Sequence, residues 1–192
     1  MADLARHNLA LFGPPGSGKG TQAGFLHLEL GLEHIATGEM LRLERSLGTE
    51  LGQTLAAYLD SGRLVPDEVI VAMIRHHLSE PKADAGFVLD GFPRTVAQAR
   101  ALQEMLATLE RPLDLAVVLD VGDQELVARL SRRAELEGRG DDVPAVIAER
   151  LRIYREQTEP VLEYLGEALP VVRLDGTQAV AEVSRSLLRA IV

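Results

Sequence analysis

The chain of 192 residues contains no cysteine. Disulfides, thiolate chemistry and cysteine-held zinc are therefore excluded. No apolar run approaches the roughly 20 residues needed to span a bilayer. The first residues, MADLARHN, carry no signal-peptide apolar region, so a soluble, cytoplasmic protein is expected. Positive charge is in deficit. The net charge of −9 argues against general affinity for nucleic acid or an anionic membrane. Any anion site must then be a local concentration of cations. Lysine is the rarest of these, because eighteen of the twenty basic residues are arginine and only Lys19 and Lys82 remain. The five histidines, His7, His27, His34, His76 and His77, show no metal-binding spacing and read as structural or solvated.

What is present is ordinary for one globular domain, with 46% apolar and 26% charged residues. Short apolar runs at Asn8–Phe12, Glu33–Ala36, Phe87–Asp90, Leu115–Asp120 and Val171–Leu174 mostly lack alternation, as strands buried on both faces do. Helical patterns fall between them, near 18–30, 37–60 in two pieces, 67–79, 95–108, 123–134, 143–166 and 177–191. This alternation predicts an α/β fold with a parallel sheet flanked by helices. Residues 37–66 and the polar stretch 133–142 break the βα rhythm and read as excursions from the core.

The first strand runs into Gly13-Pro14-Pro15-Gly16-Ser17-Gly18-Lys19-Gly20-Thr21 and then directly into a helix. Glycines let backbone N–H groups converge on an anion, the helix start adds its positive end, and Lys19 supplies a mobile charge. The usual hydroxyl after the lysine is displaced here to Thr21 by Gly20. A bound Mg²⁺ must then lean on waters, phosphates and a carboxylate. Asp90, at the end of an apolar strand, is the candidate, with a turn or helix cap as the alternative. Arg42 and Arg94 suit bidentate phosphate capture from two sides, with an ordinary surface charge as the alternative for each taken alone. Gln98, four residues past Arg94, either closes a capping box with Thr95 or reads a ligand. Arg129, Arg132, Arg133 and Arg139 fall within eleven residues, which suggests a polyphosphate among them or, alternatively, pairing with Glu125, Glu135 and Glu137. One of Asp141 and Asp142 is expected to cap the helix that follows.

GPPGSGKGTQ resembles the phosphate loop of adenylate kinases. The likeness continues in order through TGEMLR, LVPDE, LDGFPRTVAQA, the arginine-rich segment, YREQTEP and LDGT, nearly the whole chain. The resemblance implies a P-loop NTPase-type sheet of five parallel strands. A helical insertion at 37–66 would bind the nucleoside monophosphate, and a short lid would span 130–142. The core would be 1–36, 67–129 and 143–192. It implies ATP on Gly16, Ser17, Gly18, Lys19, Gly20, Thr21, Arg129 and Gly176. It implies AMP on Thr37, Arg42, Gly91, Arg94, Gln98, Arg139 and Arg150. Lys19, Arg94, Arg129, Arg133, Arg139 and Arg150 would act on the transferring phosphoryl group. Mg²⁺ would arrive with ATP and meet Asp90 through water, and a monomer would suffice. Two alternatives stand beside it: a pyrimidine or guanine acceptor, and a non-catalytic nucleotide switch, which would need no second phosphate clamp.

Overall fold

The computed structural model describes residues 6–80, 85–138 and 140–191. Five strands, β1 (Asn8–Phe12), β2 (Glu33–Ala36), β3 (Phe87–Asp90), β4 (Leu115–Asp120) and β5 (Val171–Asp175), form one parallel sheet in the order β2-β3-β1-β4-β5. The chain places β2 and β3 on one side of β1 and then crosses over to lay β4 and β5 on the other. A crevice opens at such a switch point, beyond the strand ends, and this is where α/β sheets bind ligands.

The central strands read as unbroken apolar runs because both faces are covered. On β1, Leu9 and Leu11 pack with α1 (Lys19–Leu30) and α9 (Val180–Ile191), while Ala10 and Phe12 face the opposite core. On β4, Val117 and Leu119 point one way and Ala116 and Val118 the other. The second face is closed by α4 (Asp67–Ser79), α5 (Val96–Thr108) and α8 (Glu159–Gly166). Strand β5 departs from the two-faced expectation. It is an edge strand of intermediate burial, and its exposed Arg173 pairs with Asp120 at 2.7 and 2.9 Å.

Two excursions frame the crevice. The first is α2 (Thr37–Ser46) followed by α3 (Glu50–Ser61); the second is α6 (Asp123–Glu137), a 3₁₀ turn at Gly140–Asp142, and α7 (Pro144–Ile153). Helix α6 runs three residues past its expected end, until Gly138 stops it with a φ of 64°. The stretch read as one helix over 143–166 is interrupted by a π segment at Tyr154–Thr158, where the Glu159 N–H reaches back five residues to Tyr154 O. Pro160 follows and has no N–H to continue the normal ladder, which is the local reason for the widened turn. The last helix starts at Val180 rather than 177, because Asp175 first ties the Thr177 N–H into a turn at 2.9 Å. Among the described residues no helix is long and apolar enough to cross a membrane.

Candidate active site

The loop after β1 turns through Gly13, Gly16 and Gly18, with φ of +140°, +84° and +100°. A Cβ on Gly13 would lie 2.5 Å from Ser17 Oγ and 2.7 Å from Leu119 O, so the loop is pressed against the end of β4. Lys19 folds back over this loop and donates to Gly13 O at 2.7 Å and Pro14 O at 3.0 Å. Burial lowers its pKa to about 8; nearby Asp90 opposes this, while Arg94, Arg150 and Arg133 repel the charge further. The loop therefore ends in a cation surrounded by cations, an arrangement that an incoming polyphosphate relieves.

β3 delivers Asp90 to the same place. Burial works to raise its pKa, but His34, whose Nε2 stands 3.6 Å from the carboxylate, and the charges of Lys19 and Arg94 hold it below the ordinary carboxylate range. A Cβ on Gly20 would come within 3.3 Å of Asp90 Oδ2. The glycine that displaces the usual hydroxyl thus lets a carboxylate approach the loop. Gly91 follows with φ +80°, and a Cβ there would meet the Arg94 guanidinium at 2.8 Å and Thr37 Oγ1 at 2.9 Å. Arg94 is half-buried, its Nε donates to Gly91 O at 2.7 Å, and desolvation lowers its pKa against the pull of Asp90. Arg94 precedes α5, so it does not share a helix face with Gln98. The two meet through Arg94 N–H and Gln98 Oε1 at 2.7 Å. The local reading of Gln98 is realised: Thr95 Oγ1 accepts its N–H at 3.1 Å, and its side chain reaches back over the helix start. The Thr37 hydroxyl lies within donating distance of Asp90 O and Gly91 O, at 3.2 and 3.0 Å.

The expectation that Asp141 or Asp142 caps α7 is overturned. Val143 is the N-cap, with no side-chain bond, and both carboxylates turn instead to arginines. Arg133 grips Asp142 with two bonds of 2.6 and 2.8 Å. Arg150 donates to Asp142 Oδ1 at 2.7 Å and to Asp141 O at 3.1 Å. Burial lowers the Arg150 pKa to about 10 while Asp141 and Asp142 pull it upward. Arg129 pairs with Glu125 at 2.7 Å, as the pairing alternative had it, and donates to Gly176 O at 3.0 Å.

A cavity of about 410 Å³, within the range of small-molecule sites, is lined by Gly16, Gly18, Lys19, Gly20, Thr21, Arg42, Asp90, Gly91, Arg94, Arg129, Arg133 and Arg150. A smaller cavity shares Arg42, Gly91, Arg94 and Arg150 with it and adds Thr37 and Gln98. Ser17 and Gly176 line neither. The Ser17 hydroxyl is buried without a hydrogen-bond partner, and the Gly176 N–H is taken by Asp120 O at 2.8 Å. Arg139 lies outside the described residues, as does Lys82. Two residues given no role from sequence also belong to the site's frame. Asp67 accepts from Gln98 Nε2 at 2.7 Å and Thr95 Oγ1 at 2.9 Å, and Thr158, in the π segment, donates to Arg94 O at 3.1 Å. The segment LVPDE signalled Asp67 as part of a motif but not what it holds.

A family model described as adenylate kinase matches residues 11–168. An adenylate kinase of Stenotrophomonas maltophilia (strain K279a) is 44% identical over 183 residues, covering 95% of this chain and 98% of its own. One of Maricaulis maris (strain MCS10) is 45% identical over 184 residues, covering 96% and 98%. One of Thermobifida fusca (strain YX) is 44% identical over 183 residues, covering 95% and 97%. The parallel five-stranded sheet, the glycine loop with its lysine and these similarities agree, and the chain belongs to the adenylate kinase family of phosphotransferases.

Proposed function

We propose that the protein moves the terminal phosphoryl group of ATP reversibly onto AMP, giving two ADP. One observation carries this reading: Arg42, Arg94 and Arg150 line both cavities, so cations stand where two phosphate chains would meet end to end. A single nucleotide site would not need that second clamp.

The attacking group is an oxygen of the AMP phosphate, already ionised near neutral pH. No general base is required. The cost lies in pressing one anion against another, and the chain lowers it by alignment and by placing positive charge where negative charge spreads. Lys19 holds the donor phosphates, Arg94 and Arg42 hold the acceptor phosphate, and Arg129, Arg133 and Arg150 flank the group in transit. Arg139 joins them by resemblance. Contacts of this type are worth on the order of 10³–10⁵ in rate. Gln98 reads the AMP base, Thr37 shapes its pocket, and the backbone near Gly176 and Ser17 borders the ATP moiety.

Among the described residues no group of three His, Asp or Glu forms a metal cage. Asp90 is a half-buried carboxylate beside Gly20 of the loop, which fits an ion that keeps its waters and takes its other oxygens from phosphate. Bound Mg²⁺ would supply positive charge to the donor phosphates, Asp90 would hold it through water, and Thr21 would bind ATP. Residues 37–66 act as the cover over AMP and 130–142 as the cover over ATP, excluding the water that would otherwise hydrolyse ATP. All of these groups come from one chain, so a monomer suffices.

The test is ADP formation from ATP with AMP, UMP, CMP or GMP, with and without Mg²⁺. Transfer should require Mg²⁺ and favour AMP, and Lys19→Met should abolish it while the fold persists. Near-normal turnover in that variant, or preference for another acceptor, would contradict the reading.

A further inference from the structure

Gln98 is buried, yet its side-chain amide is not free to turn. Nε2 donates to Asp67 Oδ1 at 2.7 Å, and Oε1 accepts the Arg94 N–H at 2.7 Å. Both anchors are chemically one-sided. A carboxylate only accepts and a backbone N–H only donates, so together they fix which end of the amide is nitrogen. Turning it over would face Oε1 to the carboxylate and set N–H against N–H. Asp67 is itself steadied, because its second oxygen accepts the Thr95 hydroxyl at 2.9 Å, and Thr95 in turn accepts the Gln98 backbone N–H at 3.1 Å. The ring Asp67–Thr95–Gln98 ties the start of α4 to the start of α5, and its Gln98 lines the smaller cavity.

A primary amide has two N–H groups and two lone pairs. The anchors use one of each, leaving one donor and one acceptor in a fixed order. A 6-aminopurine offers an acceptor at N1 beside a donor at its amino group. A 6-oxopurine offers the reverse, N1–H beside an acceptor oxygen, and in the same pose needs the amide turned over.

We propose that Asp67 is a positioning residue that determines specificity: it locks the Gln98 amide in the orientation that accepts a 6-aminopurine monophosphate and rejects a 6-oxopurine one. This rests on the proposed reading of Gln98 as the contact to the acceptor base. Replacing the carboxylate by an amide removes the charged one of the two one-sided anchors and leaves the Arg94 N–H as the remaining one. In Asp67→Asn the new Nδ2 can donate to a turned Gln98 Oε1, while Oδ1 still accepts from Thr95.

The experiment measures kcat/KM for AMP and for IMP, which differ only at the edge in question, in the wild type, Asp67→Asn, Asp67→Glu and Gln98→Leu. Asp67→Asn should lower the AMP-to-IMP ratio about tenfold or more and raise the absolute kcat/KM for IMP. Asp67→Glu, still acceptor-only, should keep the ratio high even if both rates fall. Equal losses for both nucleotides in Asp67→Asn would mark a merely structural residue and overturn the proposal. An unchanged ratio in Asp67→Asn with a collapsed ratio in Gln98→Leu would overturn the role of Asp67 alone. An unchanged ratio in both would overturn the base-reading role of Gln98 and this proposal with it. NMR of the wild type is independent of any variant's folding. A weak or absent NOE between the Arg94 N–H and the Gln98 side-chain amide protons supports the lock, because Oε1 faces that N–H, and a strong one would overturn it.

Discussion

Arg133 holds Asp142 through two parallel bonds of 2.6 and 2.8 Å, and the Asp142 side chain is fully shielded from solvent. The same carboxylate takes a third bond, from Arg150 at 2.7 Å. One buried anion thus keeps two guanidiniums side by side at the mouth of a cationic cavity. Without it they would repel one another.

Asp142→Ala should therefore destabilise the protein by about 2 kcal/mol, less than for a fully buried pair because both arginines keep some solvent contact. ATP should restore much of that loss, since its phosphates replace the missing counter-charge. Urea unfolding with and without nucleotide reads both effects. A midpoint equal to wild type in the absence of ATP would contradict the role given to Asp142.

Lys19 sets a pH dependence. Its pKa in the folded chain is depressed from 10.5 to about 8, chiefly by burial. The folded chain thus binds this proton less tightly than the unfolded one. The resulting penalty on stability is fully present below pH 8 and is relieved as pH rises from there toward 10.5. Polyphosphate favours the charged form, so ATP binding above pH 8 should take up a proton and weaken as pH climbs further. Calorimetry at pH 8.5–9 in two buffers of different ionisation heat detects that uptake; none would mean that Lys19 does not face the phosphates.

Gly91→Ala should impair the acceptor side selectively. Its φ of +80° costs an L-residue about 1–2 kcal/mol, and the added Cβ would push the Arg94 guanidinium away from 2.8 Å. A displacement of about 1 Å at a reacting centre can cost on the order of 100-fold, so kcat/KM for AMP should fall by about that factor with ATP binding little changed. Steady-state kinetics beside ATP titration separates the two. Equal losses on both sides would contradict the placement of Arg94 on the acceptor.

The sequence carried the scaffold because the scaffold is local. The runs of β1, β3 and β4 are apolar on both faces, and the loop from Gly13 to Thr21 announces itself by spacing. The Thr95–Gln98 capping pair is likewise a four-residue pattern. Contacts between distant segments were not legible. Asp67 and Gln98 are 31 residues apart, and nothing in LVPDE says that its aspartate holds a glutamine amide. Thr158 reaches Arg94 O across 64 residues from a π turn that helical periodicity does not encode. Asp141 and Asp142 occupied a capping position in sequence, but two arginines compete for them more strongly than backbone N–H groups do.

The central claim is tested most directly by a ligand joining two adenosines through five phosphates. Titrated calorimetrically into the full chain with Mg²⁺, it should bind one molecule per chain, displace both ATP and AMP, and lose most of its affinity in Lys19→Met and in Arg94→Lys. Failure to bind, or binding that leaves either nucleotide in place, would contradict a cavity built to hold two nucleotides end to end.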